Sequence, residues 1–219
     1  MMRTFFAAGV FAIAAAVAGD ADAQISVGAA LGQSSQAAGE SDSPYLGPPF
    51  GGSSLAGIGM IDAAIGSRAR VGIEVSLAGD ISGTQSQRAS GGNNHFVSVH
   101  RDTVFSGVAK FGSPSTDRVR ADGVVGGGIA QRHTDRTGAF STDFAVVPAT
   151  RPFQDTLVDY VWAVTAGVDV SLGITDRVAF LLAGRFHQLK DNDRRPDGVV
   201  NRGVSSRIFR YAAGLRFQF

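Results

Sequence analysis

Four histidines, His95, His100, His133 and His187, are the side chains best suited to moving protons near neutral pH. A hydrolytic site would need one of them beside a serine and oriented by an acid. No two have metal-ligand spacing on one strand face, so neither a metal nor another cofactor is expected. His187, in Phe186-His187-Gln188-Leu189, reads most simply as a histidine bonded to a neighbour. Gly123-Val-Val-Gly-Gly-Gly128 lacks the following helix and lysine of a phosphate loop, and the acidic spacing of Asp191 to Gly198 is wrong for an EF-hand. The conspicuous set is different. Asp62, Glu74, Asp102, Lys110, Arg120, Asp122, Asp159, Asp169, Arg185, Arg210 and Arg216 fall opposite the apolar positions of alternating runs. Both signs are present, so they can pair, and the pattern suits an internal charge network better than a reaction centre.

The elements that must carry them are strands. Side chains of a strand alternate between two faces, and here one face is apolar while the other is charged or small. Val158, Tyr160, Trp162, Val164, Ala166, Val168 and Val170 oppose Asp159, Thr165, Gly167 and Asp169. Val71, Ile73, Val75 and Leu77 oppose Gly72, Glu74, Ser76 and Ala78. Three segments resemble one another, Gly66–Val71, Ser115–Val119 and Ile174–Val178, and read as tight turns. Longer polar stretches separate them: Gln33–Ser54, Asp80–Asn94, Arg132–Thr156 and Leu189–Ser205. Seven connections of alternating length imply eight strands, with short turns at one end and long loops at the other. Aromatics fall in two bands on the apolar face. Phe111, Phe180 and Phe219 lie by the short turns, and Tyr160, Trp162, Phe186 and Phe209 lie nearer the long loops. A soluble barrel would hold its apolar side chains inside and its charges outside; here the apolar face is the nearly continuous one.

The chain ends agree with export. Arg3, an apolar run from Phe5 to Gly19 and Ala21-Asp22-Ala23 form a signal-peptide pattern, so residues 1–23 are expected to be cleaved and 24–219 to form the barrel domain. The apolar run is about fifteen residues, short of the roughly twenty of a spanning helix. A net charge of +1 gives no bulk electrostatic case for nucleic acid.

Alternation, loop asymmetry and a closing strand marked by Tyr211, Leu215, Phe217 and Phe219 together resemble the small eight-stranded bacterial outer-membrane β-barrel superfamily. That group includes the OmpA transmembrane domain, OmpX-like proteins and opacity-type adhesins. The resemblance implies an all-β, antiparallel, up-and-down transmembrane β-barrel in the cell outer membrane. It also implies that the terminal aromatics are read by the barrel-assembly machinery. Eight strands leave an interior that side chains fill. The expected role is therefore non-catalytic, in envelope integrity or in adhesion through the long loops, where an extracellular ligand or surface would bind. Around Phe140 to Val146 the alternation suggests that a hairpin continues beyond the membrane. The alternatives are a narrow, porin-like channel and a lipid A-modifying enzyme, although Gln188-Leu189-Lys190 lacks the Ser-Asn of the deacylase pattern. Arg101, Arg132, Arg136, Lys190, Arg194 and Arg195 fall at the outer ends, where lipopolysaccharide phosphates would lie.

Overall fold

A computed structural model describes residues 24–37, 52–89, 92–114, 118–141, 150–190 and 206–219. The expected signal peptide, 1–23, lies outside the described residues. The period-two runs form nine strand segments: β1 (Ile25–Ala37), β2 (Gly52–Ile65), β3 (Ala69–Ala78), β4 (Ile81–Ala89), β5 (Gly92–Gly112), β6 (Val119–Ser141), β7 (Thr150–Gly173), β8 (Val178–Lys190) and β9 (Ser206–Gln218). Sequential neighbours other than β3 and β4 pair antiparallel, β1 pairs with β9, and β3 pairs with β5, so the sheet closes on itself. The nine segments make eight staves, because β3 and β4 occupy consecutive stretches of one stave against β5.

The joint between them is a bulge. Leu77 pairs with Thr103 and Ile81 with His100, so three residues on one strand span two on the other. The extra residue exchanges the faces. Ser76 is buried upstream of the joint, and Ile81, which regular alternation would put on the lipid side, is buried downstream of it. The amide of Gly79 donates to the Leu55 carbonyl at 2.7 Å, fixing the joint to β2.

Followed round the eight staves, the pairings return to β1 roughly ten residues from the start, a stagger that requires strands tilted by about 35–45°. Strands so tilted and curved approach closely on the inner face. A Cβ at Gly128 would strike the Phe105 carbonyl and one at Gly214 the Ala29 carbonyl, so glycine there is a condition of closure.

The polar stretches contain more strand than their composition suggests. Asp80–Asn94 is mostly β4 and the start of β5, and Arg132–Thr156 is mostly β6 and β7, paired out to Ser141 and Thr150. Polar residues on both faces hid these strands, since nothing above a membrane demands a greasy face. The hairpin expected near Phe140 is present up to that pair; residues 142–149 lie outside the described residues.

Burial is inverted relative to a soluble protein. Trp162 is 65% exposed and Phe111 60%, whereas Lys110 and Arg216 are each 0% exposed. No soluble fold gains from exposing its aromatics and burying its ammonium groups.

Candidate functional site

The lumen holds the chemistry. Asp62, Lys110, Asp169 and Arg216 form one cluster. Lys110 Nζ lies 2.9 Å from Asp62 Oδ1 and 2.9 Å from Asp169 Oδ2. Arg216 Nη2 lies 3.4 Å from Asp62 Oδ2 and 3.1 Å from Asp169 Oδ2, while its Nη1 donates to Ser171 Oγ at 3.0 Å. Four strands contribute, β2, β5, β7 and β9, so the cluster ties opposite walls of the barrel together. Arg185 extends it. Its Nη1 lies 2.7 Å from Asp169 Oδ1, and its Nε and Nη2 donate to the Glu74 carboxylate at 2.9 and 2.6 Å. This fork geometry is what makes arginine the strong partner of a carboxylate. All these groups are out of water, so each charge depends on the others to offset its desolvation.

Arg210 is held by neutral acceptors. Its Nη1 donates to Ser76 O at 2.6 Å and Ser76 Oγ at 2.7 Å, and its Nη2 donates to Asp102 O at 2.9 Å. Beside the charges runs a polar chain, Ser106 Oγ to Thr165 Oγ1 at 2.9 Å and Thr165 Oγ1 to His187 Nδ1 at 3.0 Å. The expected hydrogen bond of His187 is thus to Thr165, and the ring is fully buried. Toward the outer end Val104, Ala130, Val161, Ala163, Leu189 and Ile208 pack into an apolar layer inside the barrel. Toward the short turns, Arg120 Nε lies 2.9 and 2.7 Å from the two Asp122 carboxylate oxygens.

Two sequence-level placements need correction. Asp159 is not with the buried carboxylates: it is half-buried, two residues outward of Val161, which belongs to the apolar layer. Arg132 is on the inner face, its Nε 3.2 Å from Asp102 Oδ1, and so does not join Arg101 on the lipid side. Arg101 is half-exposed on the outer face, 3.8 Å from both Asp80 and Asp135. The side chains of Arg136 and Lys190, and Arg194 and Arg195 entirely, lie outside the described residues. Asp135 is further held by Thr156, whose hydroxyl donates to it at 2.8 Å and, with lesser help from His133 and Arg101, keeps its carboxyl below the usual value against a small desolvation cost.

One lumen residue escaped the sequence reading. It lies in Gly66–Val71, which reads as a turn, but the arginine that immediately precedes the strand there is Arg68, and Arg70 belongs to β3. The available signal was parity: Arg70 shares a face with Glu74, four residues on.

The outer surface carries the aromatics in the expected bands. Phe111, Phe180 and Phe219 are exposed at the short-turn end. Tyr160, Trp162, Phe209 and Tyr211 are exposed toward the other, with Phe186 packed against Phe209 at a centroid distance of 4.8 Å. Tyr211 donates its hydroxyl proton to Gln33 Oε1, its cross-strand partner. Tyr211, Leu215, Phe217 and Phe219 all face outward.

No family model matches the sequence, and no curated protein does. Among solved structures, a major outer membrane protein from Thermus thermophilus is similar at 14% identity and a TM-score of 0.49, covering 91% of this chain and 100% of that one. Ail, the attachment invasion locus protein of Yersinia pestis, is similar at 8% identity and 0.47, covering 91% and 100%. OprG from Pseudomonas aeruginosa is similar at 10% and 0.45, covering 92% and 98%. The assignment rests on the molecule itself. An open edge or a greasy exterior would be costly in water, whereas a closed ladder with an apolar, aromatic-banded exterior and paired charges within is what a bilayer demands. The chain folds as a small, closed, eight-stranded antiparallel β-barrel with the exterior of a bilayer-spanning protein.

Proposed function

We propose that the barrel is a non-catalytic anchor that raises a docking sheet above the membrane and pairs it with an extended segment of a partner protein. The observation that carries this is the unequal height of the staves. β6 and β7 pair from Val119–Leu172 to Ser141–Thr150, but β7 and β8 pair only between Trp162–Lys190 and Gly173–Ala179. The hairpin therefore continues for about 35 Å of strand past the β8 ladder. Along Thr150–Val161, β7 has no strand partner on its β8 side among the described residues. Such an edge offers a row of backbone donors and acceptors to an added strand.

The non-catalytic reading is supported by the burial of His187, Thr165 and Ser106, which no lipid or peptide substrate can reach without opening the barrel. Cells making the protein should attach to protein-coated surfaces more than cells lacking it. Paired Gln154→Lys and Val158→Lys substitutions, which place charge along the edge, should abolish the gain without changing the amount of folded barrel. Equal attachment by wild-type and edge-charged cells would sink the docking role. Lipopolysaccharide phosphate is the lipid partner this reading gives to Arg101, and the outward row Tyr211, Leu215, Phe217 and Phe219 is the face it gives to the assembly machinery during biogenesis.

A further inference from the structure

The lumen has more buried positive charge than its buried carboxylates satisfy. Among the described residues six cations are buried, Arg70, Lys110, Arg120, Arg185, Arg210 and Arg216, against five carboxylates, Asp62, Glu74, Asp102, Asp122 and Asp169. One of the five, Asp102, is already engaged by the half-buried Arg132. The imbalance has an address. Arg70 is 2% exposed, and neither Nη1 nor Nη2 has a hydrogen-bond partner among the described residues. The charged groups acting on it, in descending order, are Arg120, Arg216, Asp122 and Asp62, so its strongest electrostatic neighbours are two more cations. Each of those also has an idle donor. Arg120 Nη2 and Arg216 Nε are buried without partners.

Arg120 joins this group to the outside. It lines a cavity of about 500 Å³ at the short-turn mouth, together with Arg118, Gln24, Ser171, Thr175 and Gln218. Among the described residues Asp176 is the sole carboxylate in that lining. Around the mouth Arg68, Arg118 and Arg177 are exposed, each immediately before the first residue of a strand, at all three short turns. An exposed basic rim leading to buried guanidinium groups with idle nitrogens concentrates anions and then offers them donors.

We propose that this mouth is a binding site for a small phosphate-class oxyanion, which enters from the periplasmic side and is held by Arg70 and Arg120 with Arg216 behind them. Four idle guanidinium N–H-bearing nitrogens with excess positive charge match a tetrahedral oxyanion, whose oxygens accept several such bonds at once. A water molecule could occupy one donor, but it would leave the like charges unscreened.

The test uses the purified, folded barrel in a zwitterionic detergent, with inorganic phosphate as the probe and chloride held constant. Phosphate should bind by titration calorimetry and raise the temperature at which the folded gel band is lost. Arg70→Met and Arg120→Met should each weaken binding at least tenfold, while Arg207→Gln, exposed at the start of β9 and so at the opposite end, should bind as wild type does. In phosphate-free buffer Arg70→Met should unfold at or above the wild-type temperature, because it removes an unpartnered buried charge. A repeat in vesicles of phosphatidylcholine with and without phosphatidylglycerol distinguishes the source. Competition by the anionic lipid identifies a headgroup phosphate, and its absence identifies free phosphate. No phosphate binding by the wild-type barrel, or binding unchanged in Arg70→Met, would overturn the proposal and leave water as the occupant.

Discussion

Lys110 shows how a single residue can be costly and indispensable at once. An ammonium group without water loses several kcal/mol of solvation, and two aspartates at 2.9 Å return it. Removing one member of such a set leaves the rest uncompensated. Glu74→Gln is expected to destabilise the barrel by about 3 kcal/mol, because the Arg185 fork would lose its anion. Glu74→Leu with Arg185→Met should recover most of that loss, and urea titration of folded barrel in detergent measures both. Equal loss in the single and the double variant would mean that packing, not charge, governs the site. Most of this set was legible in the sequence, because a charge at the polar parity of an apolar run has nowhere to point but inward. Arg70 was not, because a turn-like neighbourhood masked its parity. Asp159 misled for the opposite reason, since correct parity does not tell how far along the stave a residue sits.

At the scale of elements, alternation located the membrane part of every stave, and it failed where β3 gives way to β4. The bulge exchanges the two faces, so a period-two reading run through Gly79–Asp80 loses its phase and sees a loop. Deleting Asp80 should restore the phase and turn Ile81 outward. Limited proteolysis is then expected to cut the β4–β5 hairpin readily while the rest of the barrel resists. Unchanged protection would show that the bulge does not set the hairpin. Closure is as sensitive. Gly128→Val should prevent the staves from meeting at Phe105, and the folded band should vanish from unheated gels. Above the ring, the Asp135–Thr156 bond clips β6 to β7. Asp135 is held below its usual range, so its contribution to the sheet is full above pH ~4 and is lost as pH falls through the depressed value. Carbon shifts of its carboxyl should titrate below those of a free aspartate, and Thr156→Val should move them back.

The whole molecule combines an apolar exterior, a charge-tied lumen and a sheet that outgrows its ring. An apolar layer and an ion cluster lie one beyond the other inside the barrel, so planar-bilayer recordings should show no steady conductance. A stable open current would favour the channel alternative. All of these statements depend on one claim, that the greasy face is the outer one and the ladder is closed. The most direct test is an SDS gel of the outer-membrane fraction from cells making the protein, with unheated and boiled samples side by side. The account predicts that the protein resides in that fraction and that its unheated band migrates differently, because a closed membrane barrel resists SDS until boiled. A single unshifted band, with the protein free in the periplasm, would contradict it and place the charged residues on the surface of a soluble barrel.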